Sequence, residues 1–367
     1  MEIQVNGLVG QVSASGLEGV VVANTALSHV DGERGVLIVA GEDIEVLAAK
    51  ARFEDALSLL FGARDQDVTR ALGQARLRAF AQLKSDDSSL RVVDGMDALR
   101  GLVAGMEGTA PRGIEMVIDL AASVAVASAA WQRASRGLAL VPPDAARGHA
   151  EDYLRMASGE APDAARTAAM DRYLVTVMDH GMNASTFTAR VVASTGSDAL
   201  SAVVAGIGAL KGPLHGGAPG PVLDMLDAVG EPERALAWIE GELAQGRRIM
   251  GMGHRIYRVR DPRAAVLEKG IELLERSGIA RGRLALARAV ENAAETVLSA
   301  RHPDRPLKCN VEFYTAVLLD AVGLDRRAFS PTFAVGRVVG WCAHIEEQRR
   351  VGKLVRPASH YVGQMPA

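Results

Sequence analysis

A mainly helical, all-α fold is what this chain predicts, and three observations lead there. Aromatic residues make up only 4% of its 367 positions while apolar residues reach 49%. With Ala, Leu and Val abundant, that balance favours helices packed closely through small side chains over a β-sandwich or barrel. From Asp43 onward apolar residues recur at helical spacing, as in Ile44, Leu47 and Ala48 and then Phe53, Leu57, Leu60 and Phe61. Capping residues stand where new apolar periods begin, at Ser197-Asp198, Asp261-Pro262-Arg263 and Asn310.

The N-terminal stretch differs. Val20–Ala23, Ala26–Val30, the turn Asp31-Gly32-Glu33-Arg34-Gly35 and Val36–Val39 read as short strands, a small hairpin at one edge. Amphipathic blocks follow at about 66–85, 94–106, 113–133 and 144–158. The most apolar run, Leu120–Trp131, is too short and too charged at its start, by Glu115 and Asp119, to span a bilayer, and reads as a buried helix. A long block from about Ala164 to Ser194 is interrupted by Asp179-His180-Gly181-Met182-Asn183, and a helix then runs to Leu210. Pro219–Val229 and Glu231–Gln245 read as helices joined at Gly230. Others run from Asp261 to about Arg276, over Arg281–Arg301, from Asn310 to Val322 and over Pro331–Arg350. The length allows two domains, with glycine-rich segments around 216–217 and near 323 as the candidate hinges.

Composition excludes several classes. The net charge is −3 and no basic run stands out, so no nucleic-acid partner is expected. Two cysteines, Cys309 and Cys342, cannot staple a chain of this size and match no zinc module; a reducing, cytoplasmic setting follows. No histidines pair at i, i+3 or i+4 and no Cys-x-x-Cys occurs, so no metal site is expected. Gly206-x-Gly208-x-x-x-Gly212 has the wrong spacing for a dinucleotide loop and follows a helix where a strand is required. Neither a secretory signal nor a membrane partner is indicated.

Three histidines lie in glycine-containing breaks between helices: His180, His215 in Gly212-Pro213-Leu214-His215-Gly216-Gly217-Ala218-Pro219, and His254 in Gly251-Met252-Gly253-His254. Each alone could be a structural loop histidine. Their joint appearance points to a site, and the glycines after His215 let a ligand come close to the ring. His29, His149, His302, His344 and His360 lack such a setting and read as structural or exposed. Gly253–Arg263 combines a histidine with four arginines, which suits a small acidic or phosphorylated substrate. Glu312 sits in the first turn after Asn310, where the helix dipole alone would favour an acid.

These residues carry a resemblance to the citrate synthase family. Asp-His-Gly-Met-Asn-Ala-Ser at 179–185, Gly-Pro-Leu-His-Gly-Gly-Ala at 212–218, Gly-His-Arg-Ile-Tyr with Asp-Pro-Arg at 253–263, Asn-Val-Glu-Phe-Tyr at 310–314, Phe333 through Arg337, and Arg356-Pro357 stand in family order. The resemblance implies a homodimer of helical subunits, each with a large domain (1–216 and 324–367, including an arm to the partner's site) and a small one (217–323). It implies condensation of acetyl-CoA with oxaloacetate and hydrolysis of citryl-CoA, with no cofactor because the coenzyme A thioester is a substrate. Carried over by position, His215 would stabilise the enol or enolate, His254 would hydrogen-bond the ketone, and Glu312 would be the base. His180, Arg263 and Arg337, with Phe333 in the motif of Arg337, would hold oxaloacetate, and Arg356 would reach in from the partner. Met250, Gly251, Met252, Gly253 and Arg258 match the coenzyme A side. Glu312 departs from the family's usual aspartate by one methylene, which a backbone set further back would compensate. A 2-methylcitrate synthase using propionyl-CoA is the nearest alternative. A non-catalytic relative that binds CoA or oxaloacetate is the reading from another class.

Overall fold

The computed structural model describes residues 4–5, 8–9, 16–17, 19–63, 66–84, 86–215, 219–305, 307–359 and 361–366. The expected hinge at Gly216 and Gly217, and His360, lie outside them. Strands are few. β1 (Gln4–Val5) pairs with β2 (Leu8–Val9), and β3 (Ser28–Asp31) runs antiparallel to β4 (Val36–Val39) with Ser28 opposite Val39. β5 (Glu42–Asp43) pairs with the other edge of β4. Val20–Ala23, read as a strand from the sequence, forms none and does not join the sheet of β3, β4 and β5.

The helices are α1 (Ile44–Lys50), α2 (Phe53–Phe61), α3 (Val68–Gln82), α4 (Gly95–Ala104), α5 (Gly113–Ala134), α6 (His149–Ser158), α7 (Ala164–Val177) and α8 (Ala184–Ser194). Then come α9 (Ala199–Leu210), α10 (Pro219–Val229), α11 (Ala235–Ala244), α12 (Pro262–Arg276), α13 (Arg283–Arg301), α14 (Val311–Ala321) and α15 (Phe329–Val351). Acidic and amide side chains start them: Asp43, Asp67, Asp94, Asp163, Asn183, Asp198, Asp261 and Asn310 each accept a hydrogen bond from a backbone N–H of the first turn. The block expected from 144 starts only at His149. The Asp144 amide donates to the Asp152 carboxylate, and the backbone carbonyls of Asp144 and Arg147 accept from Arg76, so this stretch closes as a turn.

Two helices carry the core. α5 is long and apolar enough to cross a membrane by length and composition, yet 83% of its apolar window is buried inside the protein, against α3, α4, α6 and α15. α15 packs on α5, α7, α8 and α9. Its glycines permit very close approach: a Cβ on Gly336 would meet Val177 Cγ2 at 2.5 Å, and one on Gly340 would meet the Met178 carbonyl at 2.3 Å. The end of α7 and the loop after it therefore seat directly on α15. Among the later helices, α12 packs on both α14 and α7, and α11 on α13.

Candidate active site

The loop between α7 and α8 places His180. Gly181 adopts φ +57°, a left-handed conformation suited to glycine, and Asn183 Oδ1 caps α8 through Thr186 N–H (3.1 Å). His180 is buried, with Nε2 3.0 Å from the Tyr257 hydroxyl and its ring edge-on to His254 at 5.7 Å between centroids. Burial, then the charges of Arg263 and Arg337, holds its pKa well below the usual histidine range.

His254 sits on a loop laced to the start of α14. The Gly253 amide donates to Lys308 O (2.7 Å), the Asn310 amide to Gly251 O (3.0 Å), and Asn310 Nδ2 to Gly253 O (2.8 Å). Gly251 has a left-handed φ of +75° and lies against Phe313, so the Met250–Gly253 backbone is pressed onto the first turn that carries Glu312. His254 Nδ1 accepts from the amides of Ile256 (3.0 Å) and Tyr257 (3.1 Å). The ring proton of the neutral form is therefore on Nε2. Burial, reinforced by Arg263, lowers its pKa to about 4, so it is neutral at physiological pH.

His215 is set the opposite way. Its Nε2 lies 3.3 Å from the Ser185 amide and 2.8 Å from Ser185 Oγ, which also accepts from Trp341 Nε1 (3.1 Å). An amide N–H can only donate, so Nε2 offers its lone pair and the ring proton is on Nδ1. Its pKa also falls to about 4, from burial and then the charge of Arg337.

Two arginines and one acid complete the cluster. Arg263 Nε and Nη2 bind both oxygens of Asp261 (3.0 and 2.7 Å). The same carboxylate accepts from Val311 N–H (3.2 Å), tying the starts of α12 and α14 together. Arg337 is 1% exposed; its Nε donates to Val177 O (2.5 Å), its guanidinium lies over the Phe333 ring, and Nη2 has no partner among the described residues. Burial brings its pKa down to about 10. Glu312 is half-buried with Oε2 unpartnered, and its N–H donates to Asn310 Oδ1 (3.0 Å). Burial raises its pKa to about 7 against the opposing pull of Arg263 and Arg337.

The structure thus gathers His180, His215, His254, Glu312, Arg263, Arg337 and Phe333, with the Met250–Gly253 backbone behind Glu312. It does not bring Arg258 or Arg356 into this group. Both are exposed, and the Arg258 amide donates to Gly32 O (2.9 Å) in the hairpin turn. Arg260, counted with the substrate-facing arginines in the sequence, pairs instead with Glu291 (2.6 Å) and Glu268 (2.8 Å). Tyr257, Ser185, Asp261 and Trp341 are site neighbours whose partners are largely remote in sequence, Ser185 being 30 positions from His215. Among the described residues no group of three or more His, Cys, Asp or Glu side chains could hold a metal ion.

Two neutral imidazoles, each presenting an N–H, a carboxyl group titrating near neutrality, and two buried guanidiniums form an acid–base site for an anionic substrate on an all-helical scaffold. A sequence model described as "Citrate synthase, C-terminal domain" matches residues 16–358. The chain belongs to the citrate synthase family. It is 40% identical over 365 residues to "Putative citrate synthase 2" of Mycobacterium tuberculosis, covering 96% of this chain and 93% of that protein. It is 35% identical over 364 residues to "2-methylcitrate synthase" of the same organism, covering 95% and 90%. The crystal structure of citrate synthase from Thermotoga maritima superposes with a TM-score of 0.80 at 31% identity, covering 96% of each chain.

Proposed function

We propose that this chain joins acetyl-CoA to oxaloacetate and hydrolyses the citryl-CoA formed to citrate and CoA. The observation that carries the reading is the convergence of His215, His254 and Glu312 beside the Arg263 and Arg337 guanidiniums. Arg263, Arg337 and His180 hold the dicarboxylate, each guanidinium facing one carboxylate. The Glu312 carboxylate takes a proton from the thioester methyl, while His215 Nδ1–H donates to the thioester oxygen as it gains enolate charge. The methyl carbon then attacks the ketone carbon, and His254 Nε2–H supports the oxygen that becomes the tertiary hydroxyl. Water cleaves the thioester and releases CoA thiol. With pKa values of about 4, both rings act as neutral hydrogen-bond donors.

Propionyl-CoA is the second reading, supported by the 2-methylcitrate synthase relative; one methylene in a closed pocket separates the two by about 1–3 kcal/mol. The active unit in this proposal is a cytoplasmic homodimer. Arg356 reaches the partner's site, residues 217–323 close as a small domain, and Arg258 contacts the coenzyme A side. Release of free thiol from oxaloacetate with acetyl-CoA or propionyl-CoA tests the reading. CoA release well above a His215→Ala control is expected, and the ratio of the two kcat/KM values chooses the substrate. No release above that control would leave only a binding protein.

A further inference from the structure

Behind the His180 loop lies a buried chain of polar groups that the chemistry above does not use. The Ala26 amide donates to Glu347 Oε1 (3.0 Å), and Arg190 Nη1 donates to Glu347 Oε2 (2.6 Å) and to His344 Nδ1 (2.9 Å). Because Arg190 donates to Nδ1, the neutral His344 ring carries its proton on Nε2. That nitrogen lies 3.2 Å from Asp179 Oδ1 in a bent contact, and neither atom has another partner among the described residues. Asp179 and His344 are both 0% exposed. Gly340 of α15 leaves room for this carboxylate: a Cβ there would stand 2.9 Å from Asp179 Oδ1.

A carboxylate this deep is costly unless opposite charge faces it. Asp179 has one such neighbour, Arg337, while the Nε2–H of the neutral His344 ring and the Ser28 hydroxyl face it as donors. Burial alone would raise its pKa, yet these contacts bring it below the usual carboxylate value. Geometry sets the two side by side: Arg337 Nε is anchored on Val177 O, two residues before Asp179, and Gly340, three residues on along the same helix, packs on Met178 and Asp179. Of the groups facing Arg337, Asp179, the Tyr173 hydroxyl and Glu312 favour its charged form and Arg263 opposes it, with Asp179 the strongest of the four. Arg263 has a private carboxylate in Asp261, whereas among the described residues Arg337 has none in direct contact.

We propose that Asp179, held by His344, is the resident counter-charge of Arg337 and a positioning residue of the dicarboxylate subsite, acting through Arg337 and the backbone of the adjoining His180. It keeps the guanidinium charged and in place before the diacid arrives, without taking up the Nη2 that the diacid would occupy. This rests on the oxaloacetate reading above. A structural role alone would weaken the fold and both substrates together; the positioning role falls on one substrate.

The test uses the full-length protein with Asp179→Asn, His344→Phe and His344→Gln. Oxaloacetate binding is measured by calorimetry and KM for each substrate by thiol release. Asp179→Asn is expected to weaken oxaloacetate about tenfold or more while acyl-CoA KM stays within about twofold. The pH above which oxaloacetate binding fails should also move down, because Arg337 then loses its proton more readily. His344→Phe, similar in shape but without a donor, should move the same way. His344→Gln, whose amide can accept from Arg190 and donate to Asp179, should recover most of the loss. Folded Asp179→Asn with oxaloacetate affinity within about twofold of wild type, equal losses for both substrates, or an unmoved alkaline limit would each overturn the proposal. If Asp179→Asn does not fold, the same readouts on His344→Phe against His344→Gln decide. Wild-type protein that binds oxaloacetate but releases no CoA overturns the catalytic reading alone, since binding still reports on Asp179. Wild-type protein that binds none overturns both.

Discussion

Arg76 and Arg337 are equally deep in the protein, at 0% and 1% exposure, and they are treated in opposite ways. Every nitrogen of Arg76 is engaged: Nε with Asp152 (2.8 Å), Nη2 with the carbonyls of Arg147 (2.8 Å) and Asp144 (3.4 Å), and Nη1 with His149 Nδ1 (3.4 Å). Arg337 has a carbonyl on Nε and an aromatic ring beneath, and leaves Nη2 open. A buried cation is tolerable when its donors are satisfied, and an open one is a standing cost to stability. The difference teaches where to look for function: of two buried guanidiniums, the one left incomplete is the one a ligand can complete.

The largest effects should come from breaking that contrast. Arg337→Met is expected to lower kcat/KM for oxaloacetate by about 10³, because the diacid loses a buried charge-assisted partner. Its melting temperature should fall less than that of Arg76→Met, since the loss of the charge facing Asp179 is partly offset by removal of the unsatisfied Nη2. Arg76→Met should cost more, about 3 kcal/mol of unfolding free energy, because Asp152 keeps only Arg155 as a guanidinium partner (2.8 Å) and the Asp144 and Arg147 carbonyls lose their donor, while the protein that remains folded binds oxaloacetate normally. Similar stability losses in the two variants would dissolve the distinction.

Much of this was visible in the sequence, and what was hidden has physical reasons. Helix starts were readable because their caps are local: Asp198, Asp261 and Asn310 each serve an amide two or three residues on. The false start at 144 was not readable, since the turn there depends on Asp152 and on Arg76 far back in α3. His180, His215 and His254 stood out by their glycine-flanked breaks. Their opposite tautomers did not, because Ser185 fixes one and a local loop turn the other. Arg260 counted among the four arginines suited to an acidic substrate only because Glu291, 31 positions away, could not be seen to claim it. Arg337 came from motif resemblance alone; nothing in its own helical surroundings marks it as open.

Glu312 sharpens the same contrast on the acidic side, since its Oε2 is as unpartnered as Arg337 Nη2. Glu312→Gln should cut kcat by about 10²–10³ while leaving oxaloacetate binding nearly intact, because the arginines and not the base hold the diacid. A large loss of oxaloacetate affinity in that variant would sink the division of roles. In the wild type kcat should rise with pH and level off above about 7, as the carboxyl gives up its proton. Stability should move the other way. The folded state keeps a proton, at a pKa of about 7, that the unfolded chain releases near 4.5, so this group's contribution falls as pH rises between those values. The melting temperature of Glu312→Gln relative to wild type should therefore climb from pH 5 to pH 8. A constant difference would mean that the carboxyl is not held protonated by its surroundings.

The smallest effect belongs to a group that is closed. Ser185 Oγ lies between Trp341 Nε1, Asn183 Oδ1 and His215 Nε2, all within 3.1 Å. Ser185→Ala removes the hydroxyl but leaves the Ser185 amide, 3.3 Å from the same ring nitrogen, to hold the lone pair of His215 in place. If the tautomer is what the site requires, kcat should fall only about three- to tenfold and oxaloacetate KM should not move, with about 1 kcal/mol of stability lost to the stranded indole N–H. A loss as deep as that of His215→Ala would show that the hydroxyl orients the ring where the amide cannot. Ser185 would then stand with Glu312 and Arg337 among the groups the chemistry depends on.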